Sequence, residues 1–148
     1  MLFRSKLDAY IPNDYVEDAM HKIELYQQIA AIRTEEQATD LLDEMIDRFG
    51  DPPPALNNLV LVARIKNLVR RMGVKSVIQR GDWVEICFTD KPAVNVQGLM
   101  ELRAQSPNRV KIIAGPPQMI TVKKSATTPV SLGAWLLSVV RRIVPASP

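Results

Sequence analysis

Residues 41–60 read LLDEMIDRFGDPPPALNNLV and predict two helices with a sharp break between them. Gly50 suits the left-handed conformation that commonly follows the end of a helix, and the prolines at 52–54 prevent the first helix from continuing. Because proline is favourable in a first helical turn, the next helix is predicted to begin at Pro54 or Ala55. Its predicted buried side consists of Leu56, Leu59, Val60, Ala63, Val69 and Met72.

Two further helices are predicted upstream of this break. Thr34 and Gln37 form a capping pair, so a helix is expected to begin there and to end at Gly50. Its apolar stripe consists of Ala38, Leu41, Leu42, Met45, Ile46 and Phe49. A first helix is predicted over residues 14–33, where Asp14 and Glu17 match a capping box. Its predicted buried side consists of Val16, Ala19, Met20, Ile23, Tyr26 and Ile29 or Ala30.

After Gly73 the hydrophobic period changes from helical to alternating. Two β-rich runs at 74–79 and 83–88 flank the turn RGD, which predicts a hairpin. The pattern then predicts, in order, a helix at 95–105, strands at 109–113 and 119–124, a loop at 125–131 and a last helix. The helix at 95–105 is predicted to bury Val96, Leu99 and Met100. The last helix is predicted to bury Leu132, Trp135, Leu136, Val139, Val140 and Ile143.

Together these elements predict an α+β fold. An N-terminal helical half of three helices is expected to pack with a small antiparallel β-β-α-β-β sheet half and a C-terminal helix. One domain is predicted over residues 7–148, with a helical part at 10–73 and a sheet part at 74–148, because each half alone is small. Residues 1–6 are predicted to form a tail.

The chain of 148 residues carries its charge unevenly. Residues 1–54 hold 5 Lys and Arg against 12 Asp and Glu, whereas residues 55–148 hold 14 against 4. Such asymmetry favours two charged faces that attract different partners, although the two halves could equally neutralise one another.

Signals of catalysis are missing from the sequence. There is no glycine-rich phosphate loop, and a metal site is not indicated by one histidine, His21, and one cysteine, Cys87. The chain is therefore predicted to be no enzyme by itself, with no catalytic residue, cofactor or metal. No signal peptide and no apolar segment of about 20 residues is recognisable, so a cytoplasmic location is predicted.

Acidic residues crowd the side of the second helix that lies opposite its apolar stripe. These are Glu36, Asp40, Asp43, Glu44 and Asp47. Like charges four residues apart destabilise a helix slightly, and negative charge near its C-terminal end opposes the helix dipole. Two interpretations follow from the residues alone: a solubilising surface, or a docking surface for a basic partner.

Three stretches resemble the C-terminal domain of bacterial transcription-repair coupling factors, from about Leu7 to Ile78. They are AYIPNDYVEDAMHKIELYQQIA at 9–30, LLDEMIDRFGDPPPALNNLV at 41–60 and RIKNLVRRMGVKSV at 64–77. The resemblance implies a parent that is an ATP-driven translocase on double-stranded DNA, which displaces stalled RNA polymerase and recruits UvrA.

The same resemblance implies a role for this part of the parent. It would be a non-catalytic regulator that clamps the parent's UvrB-like N-terminal module and masks the surface that binds UvrA. In this family, acidic residues just before the R-F-G turn pair with arginines of that module, and the matching residues here are Glu44 and Asp47. With their neighbours Asp40 and Asp43 they form the expected interdomain clamp.

Two other functions remain open on the residues alone. A basic nucleic-acid-binding module is one, because the second half of the chain carries Arg80, Trp83, Arg109, Lys111, Lys123 and Lys124. The other concerns the last helix, whose stripe with Trp135 could lie on a membrane or a partner, or could pack inside the domain, which is the interpretation we favour.

Overall fold

The computed structural model describes residues 1–125 and 131–145, and the chain divides into two compact units. The first, called here the helical unit, is Leu7–Asn67. The second, called the sheet unit, combines Met1–Lys6 with Leu68–Pro148. Five helices and a mixed sheet of five strands make this an α+β fold, as predicted. Most of the loop predicted at 125–131 lies outside the described residues.

The helices of the helical unit are α1 (Ala19–Ala30), α2 (Glu35–Phe49) and α3 (Pro54–Arg70, of which the last three residues belong to the sheet unit). Their boundaries follow the local chemistry. The Thr34 hydroxyl accepts a hydrogen bond from the Gln37 N–H, which confirms the predicted cap of α2. Gly50 follows α2 with φ of 88°, and α3 begins at Pro54. The apolar core consists of Ile11, Val16, Leu25, Ile29, Ile32, Ala38, Leu41, Met45, Leu56 and Val60.

The first helix differs from the prediction. It begins at Ala19 with Asp18 as its cap, whereas the sequence predicted a start at Asp14. Residues 13–15 form a turn instead, and Val16 is buried from outside the helix. The burial of Val16 therefore says nothing about which face of α1 is buried. The buried residues of α1 are Leu25 and Ile29, and the predicted Met20, Ile23 and Tyr26 are exposed.

The sheet unit has the strand order β1-β2-β3-β5-β4. Its elements are β1 (Leu2–Arg4), β2 (Val74–Arg80), β3 (Trp83–Phe88), α4 (Val96–Gln105), β4 (Val110–Ile113), β5 (Met119–Lys123) and α5 (Leu132–Ile143). The β-β-α-β-β order is confirmed. The sheet is not wholly antiparallel, however, because β1 pairs in parallel with β2 through Phe3 and Val77. This strand lies in the segment predicted to be a tail, which is too short to show a pattern of its own.

One face of the sheet is covered and supplies the core of this unit. Val84, Ile86 and Phe88 share that face, as their alternation predicts, and they are buried with Ile120 and Val122.

The two helices of the unit pack on one another closely at Gly98 of α4. A Cβ atom there would lie 1.9 Å from the carbonyl oxygen of Arg142. Leu99 and Leu102 form the buried side of α4, whereas the predicted Val96 and Met100 are exposed. On α5 the buried residues include Leu136, Val139, Val140 and Ile143, as predicted, whereas the predicted Leu132 and Trp135 are half-buried. None of the described helices has the length and hydropathy needed to span a membrane.

Candidate docking site on the second helix

Four exposed carboxylates lie on the side of α2 that faces away from the core. Asp40, Asp43, Glu44 and Asp47 are called here the acidic face. At about 100° per residue, all four fall within about 100° of the helix circumference. The structure thus places the four predicted site residues on one surface. What they touch decides whether their charge is available to a partner.

Little charge on the acidic face is neutralised by other residues that the structure describes. Glu44 approaches Arg48, with an Oε1–Nη1 distance of 3.5 Å, and both side chains are about half exposed. Arg48 also lies over the ring of Phe49, with its guanidinium carbon 5.0 Å from the ring centre. Among the described residues, Asp40, Asp43 and Asp47 form no ion pair. An exposed pair contributes about 0–1 kcal/mol, so the face keeps most of its negative potential.

Contacts to the core fix the position of this helix. Ala38, Leu41 and Met45 are buried. At its C-terminal end the Tyr15 hydroxyl donates a hydrogen bond to the Gly50 carbonyl oxygen at 2.7 Å and also lies 3.3 Å from the carbonyl oxygen of Met45. The Gly50 carbonyl lies just past the end of the helix, where intrahelical donors are lacking. The acidic face is therefore carried on a supported scaffold and not on a loop.

Burial raises the pKa of Tyr15 above its usual value of 10.0, with a further contribution from the nearby charge of Asp51. The phenol is consequently neutral at physiological pH. A neutral phenol can donate the hydrogen bond to the Gly50 carbonyl, whereas a phenolate cannot.

The acidic face extends into a shallow groove between α1 and α2, of about 320 Å³. Asp40 and Glu44 line the groove, whereas Asp43 and Asp47 do not. Opposite them α1 and the residues after it contribute Gln28, Ala31 and Ile32. No sequence pattern pointed to Gln28 as a site residue, because its position depends on how two helices pack and not on the pattern within either helix.

Not every acidic residue of α2 is available. Glu35, in the first turn, pairs with Arg64 of α3 at an Oε2–Nε distance of 2.7 Å. The Arg64 side chain is 22% exposed, so this pair is less solvated than the pair between Glu44 and Arg48 on the acidic face. It ties α2 to α3 and sets Glu35 apart from the acidic face.

Only some of the basic residues that the sequence suggested for nucleic-acid binding lie close together. On the sheet unit the ammonium groups of Lys111 and Lys123 lie 4.6 Å and 5.9 Å from the centre of the Trp83 ring. Arg80 is paired with Glu85 at 2.9 Å, which neutralises it locally. The result is one aromatic ring flanked by two cations, a small platform of the kind that stacks with a nucleic-acid base.

His21 and Cys87, the side chains most often used in catalysis or metal binding, have ordinary surroundings. His21 is exposed and its Nδ1 lies 3.0 Å from the Asp18 carboxylate. Cys87 is buried in β3. Within the described residues no group of three or more potential metal ligands comes together.

Residues 5–99 match the TRCF domain family. The transcription-repair-coupling factor of Bacillus subtilis (strain 168) is 36% identical over 102 residues, which cover 68% of this chain and 9% of that protein. The Staphylococcus haemolyticus protein of the same name is 35% identical over 92 residues, which cover 62% and 8%. The chain thus spans less than a tenth of the length of these curated relatives.

The fold resembles a solved structure over nearly its whole length. That structure is the crystal structure of the C-terminal domain of transcription-repair coupling factor. The TM-score is 0.82, with 22% sequence identity, and the match covers 95% of this chain and 89% of that one.

Proposed function

The chain belongs to the TRCF domain family, and from this premise we propose that it is the non-catalytic C-terminal regulatory domain of a cytoplasmic transcription-repair coupling factor. The parent would be an ATP-dependent translocase on double-stranded DNA that displaces stalled RNA polymerase and recruits UvrA. This domain would hold the parent in a resting state by binding its UvrB-like N-terminal module and masking the UvrA-binding surface.

The observation that supports this proposal is the acidic face. Three of its four carboxylates have no ion-pair partner in the part of the chain that the structure describes. Asp43 and Asp47 are like charges four residues apart, and Asp47 lies in the last turn of α2, where the helix dipole disfavours negative charge. A surface that lowers the stability of its own helix is readily explained if a basic partner binds there. Arginines of the UvrB-like module would supply the missing positive charge to Glu44 and Asp47.

Weak contacts suit such a clamp. Each exposed ion pair contributes about 0–1 kcal/mol and is screened by salt, so a few pairs bind without locking the domain permanently. Tethering within one polypeptide raises the effective concentration of the two surfaces to about the millimolar range for short linkers. A contact that is weak between separate molecules is then sufficient within the parent, and it can open when polymerase and DNA bind.

The test is calorimetric binding of this chain to the separately produced UvrB-like module at low and high salt. We expect binding that weakens as salt rises and that is lost in the double variant Glu44→Arg, Asp47→Arg. The control is Asp90→Arg, Glu101→Arg, which changes the net charge equally but alters exposed residues of the sheet unit. Equal loss in both variants would show that only net charge matters and would contradict the proposed clamp.

A second function is favoured by the Trp83 platform. If the sheet unit binds nucleic acid, labelled single-stranded DNA should bind the chain with a steep dependence on salt. Trp83→Ala should weaken that binding, while the variant at Glu44 and Asp47 should leave it intact. The opposite pattern, in which DNA does not bind and the UvrB-like module does, would leave the clamp as the function.

A further inference from the structure

The strand β4 is an open edge of the sheet. It pairs with β5 on one side and, in the part of the chain that the structure describes, with no strand on the other. Its two isoleucines are unusually exposed for their type, at 39% for Ile112 and 43% for Ile113. An apolar edge of this kind is a place where another extended segment can add a strand.

The hydrogen-bond pattern shows which backbone groups of β4 are available. The Lys123 N–H donates to the Arg109 carbonyl oxygen at 2.8 Å, so these two residues occupy a hydrogen-bonded position of the ladder, while the Arg109 N–H donates to the Ser106 carbonyl oxygen where the strand begins. Because such pairs alternate in an antiparallel ladder, Lys111 and Ile113 also direct their backbone groups toward β5. The N–H and C=O groups of Ile112 therefore point outward, toward the position of an added strand.

An apolar pocket lies beside Ile112. Its volume is about 160 Å³, and it is lined mainly by residues of the three strands β3, β4 and β5, of α4 and of the loop before α4. Besides Ile112 they include Phe88, Pro92, Val94, Leu99, Ile113 and Met119. Apolar cavities of about 150 Å³ can hold a benzene-sized group. The residue of an added strand that lies opposite Ile112 would point to the same face of the sheet and could place one bulky apolar side chain in this pocket.

Charge identifies the kind of segment that fits. Arg109 and Lys111 lie at and beside the open edge, with Lys123 on the next strand. The sequence contains no Asp or Glu after Glu101. A residue adjacent to the apolar anchor would face Lys111 on the other side of the sheet, where a carboxylate is favourable. A second copy of this chain fits poorly, because it would bring two basic edges together, and edge lysines are a known means of preventing such pairing.

We propose that β4 is a docking site for an extended acidic segment of a partner protein, which adds a strand at Ile112 and inserts one apolar side chain into the neighbouring pocket. This site is separate from the acidic face and takes a partner of opposite charge. The strand β4 also lies outside residues 5–99, the part of the chain that matches the TRCF domain family.

The test uses the whole chain and a fluorescent peptide of about ten residues in which Glu alternates with Ile or Phe, because alternation fits a strand. We expect saturable binding by fluorescence anisotropy. Methylation of alternate peptide amides should weaken binding by about tenfold or more, because main-chain hydrogen bonds provide much of the affinity in strand addition. A peptide with Lys in place of Glu should not bind.

Two variants test the site from the protein side. Ile112→Pro removes the outward N–H and should abolish binding, and proline is tolerated on an edge strand where the N–H faces solvent. Val94→Trp fills the pocket without altering β4 and should also abolish binding. Circular dichroism would establish that each variant is folded. The matched control is Lys75→Glu on β2, compared with Lys111→Glu, and only the second should weaken binding.

Two results would overturn the proposal. One is equal peptide binding by the wild-type chain, Ile112→Pro and Val94→Trp, or equal binding of the methylated peptide, since charge alone would then explain it. The other is a dimer of the chain, detected by sedimentation and abolished by Ile112→Pro, since the edge would then serve a second copy.

Discussion

The acidic face of α2 and the open edge of β4 offer partners two different kinds of contact. On α2 the backbone groups are used within the helix, so the surface presents only side-chain charge. On β4 the outward backbone groups of Ile112 are themselves the contact. Charge acts over a distance of about 8–10 Å in physiological salt and places few demands on the partner's conformation. Backbone pairing acts only at hydrogen-bond distance and requires an extended partner.

This difference has a practical consequence, because salt separates the two surfaces. Binding at the acidic face should fall steeply as ionic strength rises, since its contacts are exposed ion pairs. Binding at β4 should fall less, since hydrogen bonds and an apolar anchor remain when charge is screened. The two surfaces also differ in sign, so one chain can distinguish a basic partner from an acidic one.

The largest effect is expected from removing the support beneath the acidic face. Met45 is 1% exposed in the core of the helical unit. Met45→Ala should lower the free energy of unfolding by about 2–5 kcal/mol, because it removes buried apolar surface and leaves a cavity. Urea unfolding followed by circular dichroism measures this. Ile46→Ala is the control on the same helix, since Ile46 is exposed, and a similar loss there would contradict the description of this core.

A smaller loss of stability is expected in the sheet unit, which contains the open edge. Gly98→Ala places a Cβ atom against the Arg142 carbonyl and should destabilise the sheet unit by about 1–3 kcal/mol through overpacking. Thermal unfolding of the variant measures the loss. Ala104→Gly is a comparison at an exposed position of α4, where the expected loss is about 0.5–1 kcal/mol through helix propensity alone. A variant Gly98→Ala as stable as wild type would show that α4 and α5 do not pack this closely.

Much of the fold could be predicted where the signal is local. Thr34, Gly50 and Pro54 act on the backbone beside them, so the limits of α2 and the start of α3 follow from the sequence. Which face of α1 is buried does not follow from the sequence, because it depends on which other segments reach the core. The strand β1 does not follow from the sequence either, since three residues at a sheet edge acquire their structure from pairing with β2.

The acidic face and the open edge differ in the same way. The four carboxylates are visible from helical spacing, because their neighbours lie on one helix. The edge at β4 depends on the strand order, in which β5 and not β4 is next to β3. The exposure of Val96 and Met100 likewise follows from the packing of α4 and not from its own pattern.

A change at Tyr15, which contacts the end of α2, should have an effect of intermediate size on stability. Tyr15→Phe removes the hydrogen bond to the Gly50 carbonyl and should lower the free energy of unfolding by about 0.5–1.5 kcal/mol. The same residue predicts a pH dependence. Its pKa is raised in the folded chain, so its stabilising contribution is complete below the usual value of 10.0 and is lost as pH rises through the folded value. The variant should lose less stability than the wild type between neutral and strongly alkaline pH, and identical losses would contradict this.

The smallest effect separates a binding surface from a solubilising one. Asp43 and Asp47 are like charges four residues apart on α2. Asp43→Asn should therefore raise the free energy of unfolding of the isolated chain by about 0.2–0.5 kcal/mol. The same change should weaken salt-sensitive binding to the UvrB-like module. Asp90→Asn is the control, because Asp90 is exposed outside the helices, and neither quantity should change.

The combination of the two measurements is more informative than either alone. A surface that serves only solubility does not contact the module, so Asp43→Asn would stabilise the chain and leave its affinity for the module unchanged. A docking surface gives opposite changes, with a more stable free chain and a weaker complex. If stability fell instead, the carboxylate of Asp43 would contribute favourably within the chain, and the destabilising charge that supports the clamp would not exist. High salt supplies the internal check, since screening should reduce both effects of the Asp43 charge together.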